Sequence, residues 1–224
     1  MEKFSNPCRL PRSEKIFLKE IKEKALLSSF FRIFVPLNVQ MQSMEYIKTD
    51  VEGVLILRPR VFEDARGYFM ETFRQGDFEE HVGSVCFVQD NESKSSRGVL
   101  RGLHYQRGAF SQAKLVRVIR GSVLDVAVDL RRSSPTFGKY VAVELSGENK
   151  QQLFIPRGFA HGFLVLSDEA VFTYKCDNLY APQSEASIRF DDPTIGIEWP
   201  ISSDEMLLSP KDLRAVSFEE AEKF

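Results

Sequence analysis

The fold class of this chain is decided by residues 114–130, which read KLVRVIRGSVLDVAVDL. Two runs rich in Val, Leu and Ile flank Gly121, and such β-branched runs separated by a turn residue are typical of consecutive strands. Further short apolar runs of this kind occupy residues 54–57, 140–145, 152–155, 163–166, 171–176 and 188–190. A turn about every ten residues predicts an all-β antiparallel sandwich or barrel. Helix is predicted only at residues 75–81 and in a short C-terminal segment around residues 217–222.

The composition excludes several functional classes. The 224 residues carry 30 Lys and Arg against 32 Asp and Glu, a net charge of −2, whereas proteins that bind nucleic acids or membrane surfaces in general are strongly basic. Cys8, Cys86 and Cys176 show no CxxC or CxxxC spacing, so no zinc site is predicted. Such sparse use of cysteine favours a reducing, cytoplasmic location.

Charge divides the chain into two regions. Residues 1–43 contain eight basic and four acidic residues, while the remaining residues contain 22 basic and 28 acidic ones. The apolar run in the first region is interrupted by Arg32 and followed by Pro36, so it is too short to span a bilayer. We expect residues 1–43 to be a disordered or loosely docked extension, with Met44 as an alternative true start, and residues 44–224 to form the functional domain.

The densest group of polar residues lies at residues 98–106, which read GVLRGLHYQ. On a flat strand Arg101 and His104 would point to opposite faces. Gly102 between them permits a β-bulge, which would bring both side chains into one cavity. The alternatives are a surface charge for Arg101 and a hydrogen-bonded core residue for His104.

Lys114 begins the strand that alternation predicts over residues 114–118. It would share a face with Val116 and Val118, and a lysine on an apolar inward face needs an anionic partner or ligand. A lysine at a strand edge that points to water is the alternative. The residues themselves leave both readings open.

The spacing of Pro156, Gly158 and His161 places a turn directly before a strand. This Pro-x-Gly-x-x-His pattern resembles the second motif of the cupin superfamily, in which the histidine is often a metal ligand. A metal cupin normally also supplies His-x-His and a nearby Glu, but His104 is flanked at these spacings by Gly102 and Gln106. We therefore expect the barrel without a metal site.

Residues 44–216 resemble the dTDP-4-dehydrorhamnose 3,5-epimerase family, which are metal-free cupin enzymes of dTDP-L-rhamnose synthesis. The likeness is collinear over nearly the whole β region, and residues 1–43 have no counterpart in the family. The matching stretches are residues 62–71, 89–93, 98–106, 114–118, 133–138, 155–163, 174–180, 196–200 and 208–212.

The resemblance implies a cupin jelly-roll barrel and a defined reaction. The substrate would be dTDP-4-dehydro-6-deoxy-D-glucose, whose protons at C3 and C5 are acidic because they lie α to the C4 ketone. Inversion at both carbons through an enolate would give dTDP-4-dehydro-L-rhamnose. The reaction needs a base, an acid on the opposite face and a positive charge near the enolate oxygen, but no cofactor.

The resemblance also assigns residues to these roles. It implies His104 as the base, Asp212 as its carboxylate partner, Tyr174 as the acid and Lys114 beside the C4 oxygen. Arg66 and Arg101 would hold the diphosphate, and Tyr180 would stack on thymine. The further substrate contacts implied are Glu71, Gln89, Asn91, His161, Glu185 and Lys211. The family is a homodimer with exchanged N-terminal strands, so Arg66 or Glu71 would serve the partner's site.

Three alternatives remain at the level of the sequence. An epimerase that acts at C3 or C5 only, or on a related dTDP-4-keto sugar, would share the same catalytic residues. A metal-dependent cupin oxygenase would need the His-x-His motif that this chain lacks. A non-catalytic sugar-binding barrel would have no reason to keep the acid, the base and the phosphate ligands together.

Overall fold

The structure, a computed structural model, describes residues 44–224. The expectation that residues 1–43 form a disordered or non-native extension lies outside the described residues and stays a prediction. The strands are β1 (Met44–Lys48), β2 (Leu55–Pro59), β3 (Val61–Asp64), β4 (Gly67–Met70), β5 (Gln89–Ser96), β6 (Leu100–Gln106), β7 (Lys114–Arg120), β8 (Ser122–Asp129), β9 (Tyr140–Ser146), β10 (Gln152–Ile155), β11 (Phe159–Val165), β12 (Glu169–Cys176) and β13 (Glu185–Ser187). The α-helix within residues 44–224 is α1 (Gln75–Val82).

Two antiparallel sheets form the barrel, and a separate hairpin stands beside them. The large sheet has the strand order β1-β2-β10-β7-β12-β5, the small sheet has the order β13-β6-β11-β8-β9, and β3 pairs with β4. The sheets pack face to face in the cupin jelly-roll arrangement, so the all-β prediction is confirmed. Within the described residues no helix is long and apolar enough to cross a membrane.

The stretch that predicts the fold crosses from one sheet to the other. Strand β7 lies in the large sheet and β8 in the small sheet, and Gly121 makes the turn between them with a φ of 77°. A β-carbon at Gly121 would lie 2.0 Å from the Glu169 carbonyl oxygen, so only glycine fits there. Val116 from β7 and Val123 from β8 meet in one fully buried core cluster. Burial of each such side chain contributes about 1.5–3 kcal/mol.

Strand β5 is absent from the sequence prediction because its residues are polar. It reads QDNESKSS and forms the edge of the large sheet beside β12. An edge strand with one solvated face does not need the Val- and Ile-rich composition on which the prediction relies. The strand nevertheless matters, because it carries Gln89, Asn91 and Ser95, whose hydrogen bonds hold other predicted site residues.

The helix predicted at residues 75–81 is confirmed as α1. It buries Phe78 against Phe154 of β10, with Phe73 and Phe87 completing an aromatic cluster. The short helical segment predicted around residues 217–222 is wrong, because residues 218–220 form a turn with a single Ala221 N–H to Ser217 carbonyl bond. The chain cannot continue as a helix there, since the N–H of Phe224 binds the carbonyl of Leu130 and draws the terminus into an extended path.

Candidate active site

A β-bulge in the small sheet brings Arg101 and His104 to the same side. His161 of β11 lies opposite His104 of β6, and Phe163 lies opposite Arg101, so three steps along β6 match two along β11. Gly102 has a φ of 139°, and a β-carbon there would lie 2.5 Å from the Cα of Gly162. The bulge predicted at Gly102 is therefore confirmed. Because of it, Arg101 and His104 point to the same side of the sheet instead of to opposite faces.

Arg101 reaches across to the large sheet. Its Nε donates a hydrogen bond to the Oγ of Ser95 on β5, at 3.1 Å. Ser95 is buried, so this bond holds a mainly exposed guanidinium at the rim of the cavity. Sequence reasoning did not identify Ser95, because it lies on the polar strand that the hydrophobic pattern does not reveal.

His104 forms a close pair with Asp212, which enters from the segment after the last strand. His104 Nε2 lies 2.6 Å from Asp212 Oδ1, and the side chains are 26% and 3% exposed. The Oγ of Ser209 donates to the other carboxylate oxygen at 2.6 Å, and the Gly102 N–H lies 3.4 Å from Oδ1. Burial opposes ionisation of Asp212, but the bonds from His104 and Ser209 outweigh it and lower the pKa to about 2.

A second histidine–carboxylate pair lies deeper in the barrel. Nε2 of His161 is 3.0 Å from each carboxylate oxygen of Asp125 on β8, and Asp125 is 0% exposed. Burial lowers the pKa of His161 below its ordinary value, and the charge of Asp125 opposes that shift. Sequence reasoning missed Asp125, although alternation places it on the same face as Val123 and Ala127, where a charge needs a partner.

Lys114 and Tyr174 face these pairs from the large sheet. Burial lowers the pKa of Lys114, and the charges of Asp125 and Glu185 partly oppose the shift. Lys114 Nζ lies 5.9 Å from the centroid of the Tyr174 ring. Burial also raises the pKa of Tyr174, which keeps its phenol protonated. The inward reading of Lys114 is thus correct.

The mouth of the cavity is built from β5, β13 and two connecting segments. Gln89 donates to Asn91 Oδ1 at 2.9 Å and accepts the N–H of Tyr180 at 2.9 Å. The half-exposed Tyr180 hydroxyl donates to Glu185 at 3.1 Å, and Glu185 also forms an ion pair with Lys211. Through Glu185 these contacts connect Tyr180, to which the resemblance gives the stacking role, with the segment that carries Lys211 and Asp212.

Arg66 and Glu71 lie elsewhere in the chain. Arg66 is 89% exposed in the turn of the β3–β4 hairpin and pairs with Asp64. Glu71 follows β4 and pairs with Arg74 at 2.7 Å. The structure places both residues on the hairpin or next to it, outside the two sheets, whereas the other predicted site residues lie on strands of the two sheets or in segments that contact those strands.

The donor groups in the cavity are arranged in pairs. No cluster of three or more His, Cys, Asp or Glu side chains poised for a metal ion occurs in residues 44–224. Nε2 of each cavity histidine is already engaged by a carboxylate. The expectation of a metal-free and cofactor-free site stays a prediction.

Comparison with known proteins gives a consistent match. A family model described as dTDP-4-dehydrorhamnose 3,5-epimerase matches residues 48–220. A dTDP-4-dehydrorhamnose 3,5-epimerase of Shigella flexneri is 58% identical over 182 residues, which cover 81% of this chain and 99% of that protein.

Solved structures agree with the sequence comparison. The crystal structure of dTDP-4-dehydrorhamnose 3,5-epimerase from Elizabethkingia anophelis is 54% identical, with a TM-score of 0.77 over 79% of this chain and 97% of that chain. A dTDP-6-deoxy-D-glucose-3,5-epimerase from Legionella pneumophila, solved in complex with dTDP-4-keto-L-rhamnose, is 50% identical with a TM-score of 0.77, and the match covers 80% of this chain and 95% of that chain.

Proposed function

The chain belongs to the dTDP-4-dehydrorhamnose 3,5-epimerase family, and we propose that it inverts C3 and C5 of dTDP-4-dehydro-6-deoxy-D-glucose to give dTDP-4-dehydro-L-rhamnose for dTDP-L-rhamnose synthesis. It is an isomerase of the carbohydrate-epimerase type. The observation that carries the assignment of residues is the His104–Asp212 contact of 2.6 Å, in a cavity that also receives Lys114 and Tyr174 from the opposite sheet.

His104 acts as the base through its Nδ1 atom. A carboxylate can only accept hydrogen bonds, so Nε2 of His104 carries the proton that is shared with Asp212, and Nδ1 is left to accept a proton from carbon. The imidazolium that forms remains paired with the carboxylate, which lowers its energy. The nearly buried Asp212 is well suited to this, because its pKa of about 2 keeps it ionised over the working range.

Tyr174 supplies the proton on the opposite face of the sugar. It lies on β12 of the large sheet, whereas His104 lies on β6 of the small sheet. Because burial raises the pKa of its phenol, the group is protonated at neutral pH and gives up its proton only to a strong base such as an enolate carbon. Inversion follows when one face loses a proton and the other gains one.

Lys114 stabilises the enolate that links the two proton transfers. Negative charge develops on the C4 oxygen when the α proton leaves, and a fixed cation in a site that excludes water lowers the energy of that charge strongly. Lys114 is largely buried, so its charge is not screened as a surface lysine's charge would be.

The nucleotide is held at the rim. Arg101, oriented by its bond to Ser95, binds the diphosphate, and the exposed ring of Tyr180 stacks on thymine. Gln89, Asn91, His161, Glu185 and Lys211 complete the contacts with the substrate.

Arg66 and Glu71 act in the site of a second copy of the chain, within a homodimer whose N-terminal strands are exchanged. The hairpin that carries Arg66 stands apart from both sheets, and its Phe69 is 70% exposed. Coexpression of Arg66→Ala and His104→Gln chains tests this arrangement. In a mixed dimer one site combines an intact His104 with an intact Arg66 from the other chain. Half of the dimers in a statistical mixture are mixed, so we expect recovery of about a quarter of the parental activity. No recovery beyond the separate variants would contradict action in the partner's site.

A cytoplasmic location stays a prediction based on cysteine usage.

The reaction itself is tested by NMR of the dTDP-4-keto sugar in D2O. We expect deuterium to enter at both C3 and C5 while the rhamno-configured product forms. Exchange at a single carbon would replace the proposal with a single-position epimerase. Loss of turnover on treatment with a chelator would point instead to metal chemistry.

A further inference from the structure

Asp125 is a buried charge for which the proposed reaction has so far given no role. It lies in the middle of β8, opposite Phe163 of β11, and is 0% exposed. Both of its carboxylate oxygens are 3.0 Å from the same atom, Nε2 of His161. A buried carboxylate is costly unless it is paired, so its presence inside the barrel requires a compensating group.

The protons on His161 follow from this contact. A carboxylate accepts hydrogen bonds only, so Nε2 of His161 is the donor, and in the neutral ring Nδ1 carries no proton. Burial favours the neutral ring, because the pKa of His161 is lowered. His161 lies directly opposite His104 in the β6–β11 ladder, so the two neighbouring rings hold their protons in the same way, each on the nitrogen that faces a carboxylate.

The positive charge that balances Asp125 is then on Lys114. The charge of Lys114 disfavours protonation of His161, and an amine is intrinsically the stronger base by about four pKa units. Lys114 therefore keeps the proton, and His161 remains neutral. Asp125, His161 and Lys114 together carry no net charge before the reaction begins.

Other groups that face Lys114 do not supply this balance. The charged and titratable neighbours are Asp125, Cys176, Glu185, Lys211, His161 and Tyr174, whose phenol stays protonated because burial raises its pKa. Burial raises the pKa of the Cys176 thiol to about 11, so the thiol is neutral. Glu185 is committed to an ion pair with Lys211. Among these neighbours, Asp125 is the anion without a compensating partner of its own.

We propose that Asp125 is a positioning residue of the site, which fixes His161 in the Nε2–H tautomer and keeps Lys114 in its cationic form for the enolate. This inference rests on the proposed function, because it gives Lys114 the task of stabilising that intermediate. Asp125 touches no reacting atom and acts through the two side chains that line the cavity.

The first test reads the tautomer directly and needs no substrate. The chain contains three histidines, so the imidazole nitrogens of a ¹⁵N-histidine-labelled protein give three resolvable spin systems, and a His81→Gln variant removes one for assignment. We expect His161 to be neutral and protonated at Nε2 at pH 7.5 in the parent, because its pKa is lowered from the ordinary value. A His161 protonated at Nδ1, or charged at pH 7, would overturn the proposal even if every variant failed to fold.

The second test uses Asp125→Asn, which keeps the shape and removes the charge. An asparagine amide can donate to Nε2, so we expect a mixture of His161 tautomers. We also expect kcat to fall by roughly tenfold to a hundredfold with KM changed less than about threefold, because the nucleotide contacts are untouched. Removal of the anion lowers the pKa of Lys114. Activity that needs the ammonium is lost as pH rises through that pKa, so the basic limb of the kcat profile moves to lower pH.

Asp129→Asn is the matched control. Asp129 lies on the same strand, is equally buried, and accepts hydrogen bonds from Arg131, Ser134 and Thr136 away from the cavity. We expect it to lower the melting temperature but to leave the tautomer and the pH profile unchanged. Identical pH profiles for the parent and Asp125→Asn would refute the proposal. Absence of exchange at C3 and C5 in the parent would refute the proposed function instead, and the tautomer measurement would still stand.

Discussion

His104 with Asp212 and His161 with Asp125 are two histidine–carboxylate pairs in one cavity, and we call them the mouth pair and the inner pair. Each has a carboxylate within 3.0 Å of Nε2. The mouth pair is partly open to water, and its carboxylate also accepts hydrogen bonds from Ser209. The inner pair is buried, and the hydrogen bonds described for its carboxylate come from His161 alone.

This difference in surroundings suits the mouth pair to proton transfer and the inner pair to the holding of charge. A pair that contacts water and has a firmly held carboxylate can take a proton from carbon and exchange it with solvent. A pair sealed from water keeps its protonation state, so it suits the holding of charge rather than the transfer of protons. The same two residue types thus serve different ends because burial and hydrogen bonding differ around them.

The largest expected effect separates the two histidines. His104→Gln removes the base and should lower deuterium exchange at both C3 and C5 by roughly 10⁴-fold, the upper range for an acid–base residue. His161→Gln should lower it by roughly a hundredfold. Exchange rates from NMR in D2O, with dTDP affinity from calorimetry as the control for binding, check this. Equal losses in the two variants would remove the distinction between the pairs.

Tyr174→Phe tests whether the mouth pair works on one face of the sugar only. Epimerisation should fall by roughly 10³-fold, whereas deuterium should still enter the substrate with retention, because His104 can return the proton that it removes. NMR distinguishes retained from inverted product, and an unchanged dTDP affinity shows that the site is intact. Inversion at the parental rate would reassign the acid.

Asp212→Asn should have the next largest effect. It leaves His104 a neutral acceptor in place of a carboxylate, so the imidazolium loses its counter-charge and kcat falls by roughly a hundredfold. Steady-state kinetics at pH 7.5 measure this, and circular dichroism checks the fold. If kcat stays within threefold of the parent, the carboxylate has only a structural role.

Ser209→Ala should produce a smaller change in the same direction. The Oγ of Ser209 donates to Asp212 at 2.6 Å, and a bond to a charged group contributes about 1.5–3 kcal/mol. Only part of this hydrogen-bond free energy is expected to act on the transition state more than on the ground state. We therefore expect kcat to fall roughly tenfold. Because the lost bond also stabilises the ionised carboxylate, the pKa of Asp212 rises. A Ser217→Ala variant, which affects an exposed turn, should match the parent.

The last expected effect is on stability rather than on turnover. The pKa of Asp212 falls from 3.8 to about 2 on folding, so this carboxylate contributes about 2 kcal/mol above pH 4. Because the folded pKa is the lower one, this contribution is lost as pH falls from about 4 to 2. Urea unfolding of the parent and Asp212→Asn from pH 7 to 3 should show curves that converge toward acid. Curves that stay parallel would contradict the assigned pKa.

Several features of the site were predictable because they depend on local pattern. Gly102 marks the bulge that brings Arg101 and His104 to the same side, and alternation puts Lys114 on the face of Val116 without deciding whether a lysine at the strand edge points inward. Asp125, Ser95 and Ser209 were not identified. Asp125 meets a residue 36 positions away, and Ser95 meets Arg101 across the gap between two sheets. The error at residues 217–222 has the same origin, because a distant pairing with Leu130 overrides a weak local preference.

By itself the sequence determined the all-β class and the helix at residues 75–81, because these depend on side-chain alternation and turn residues. Its resemblance to a family, carried by residue identity along the chain, supplied the candidate acid, base and cation. Only the tertiary structure decided that Asp125 rather than another carboxylate meets His161 and that Lys114 points into the barrel. It also decided which arginine stands apart from the barrel. These outcomes follow from burial and distance, and both are set by how two sheets pack rather than by neighbours along the chain.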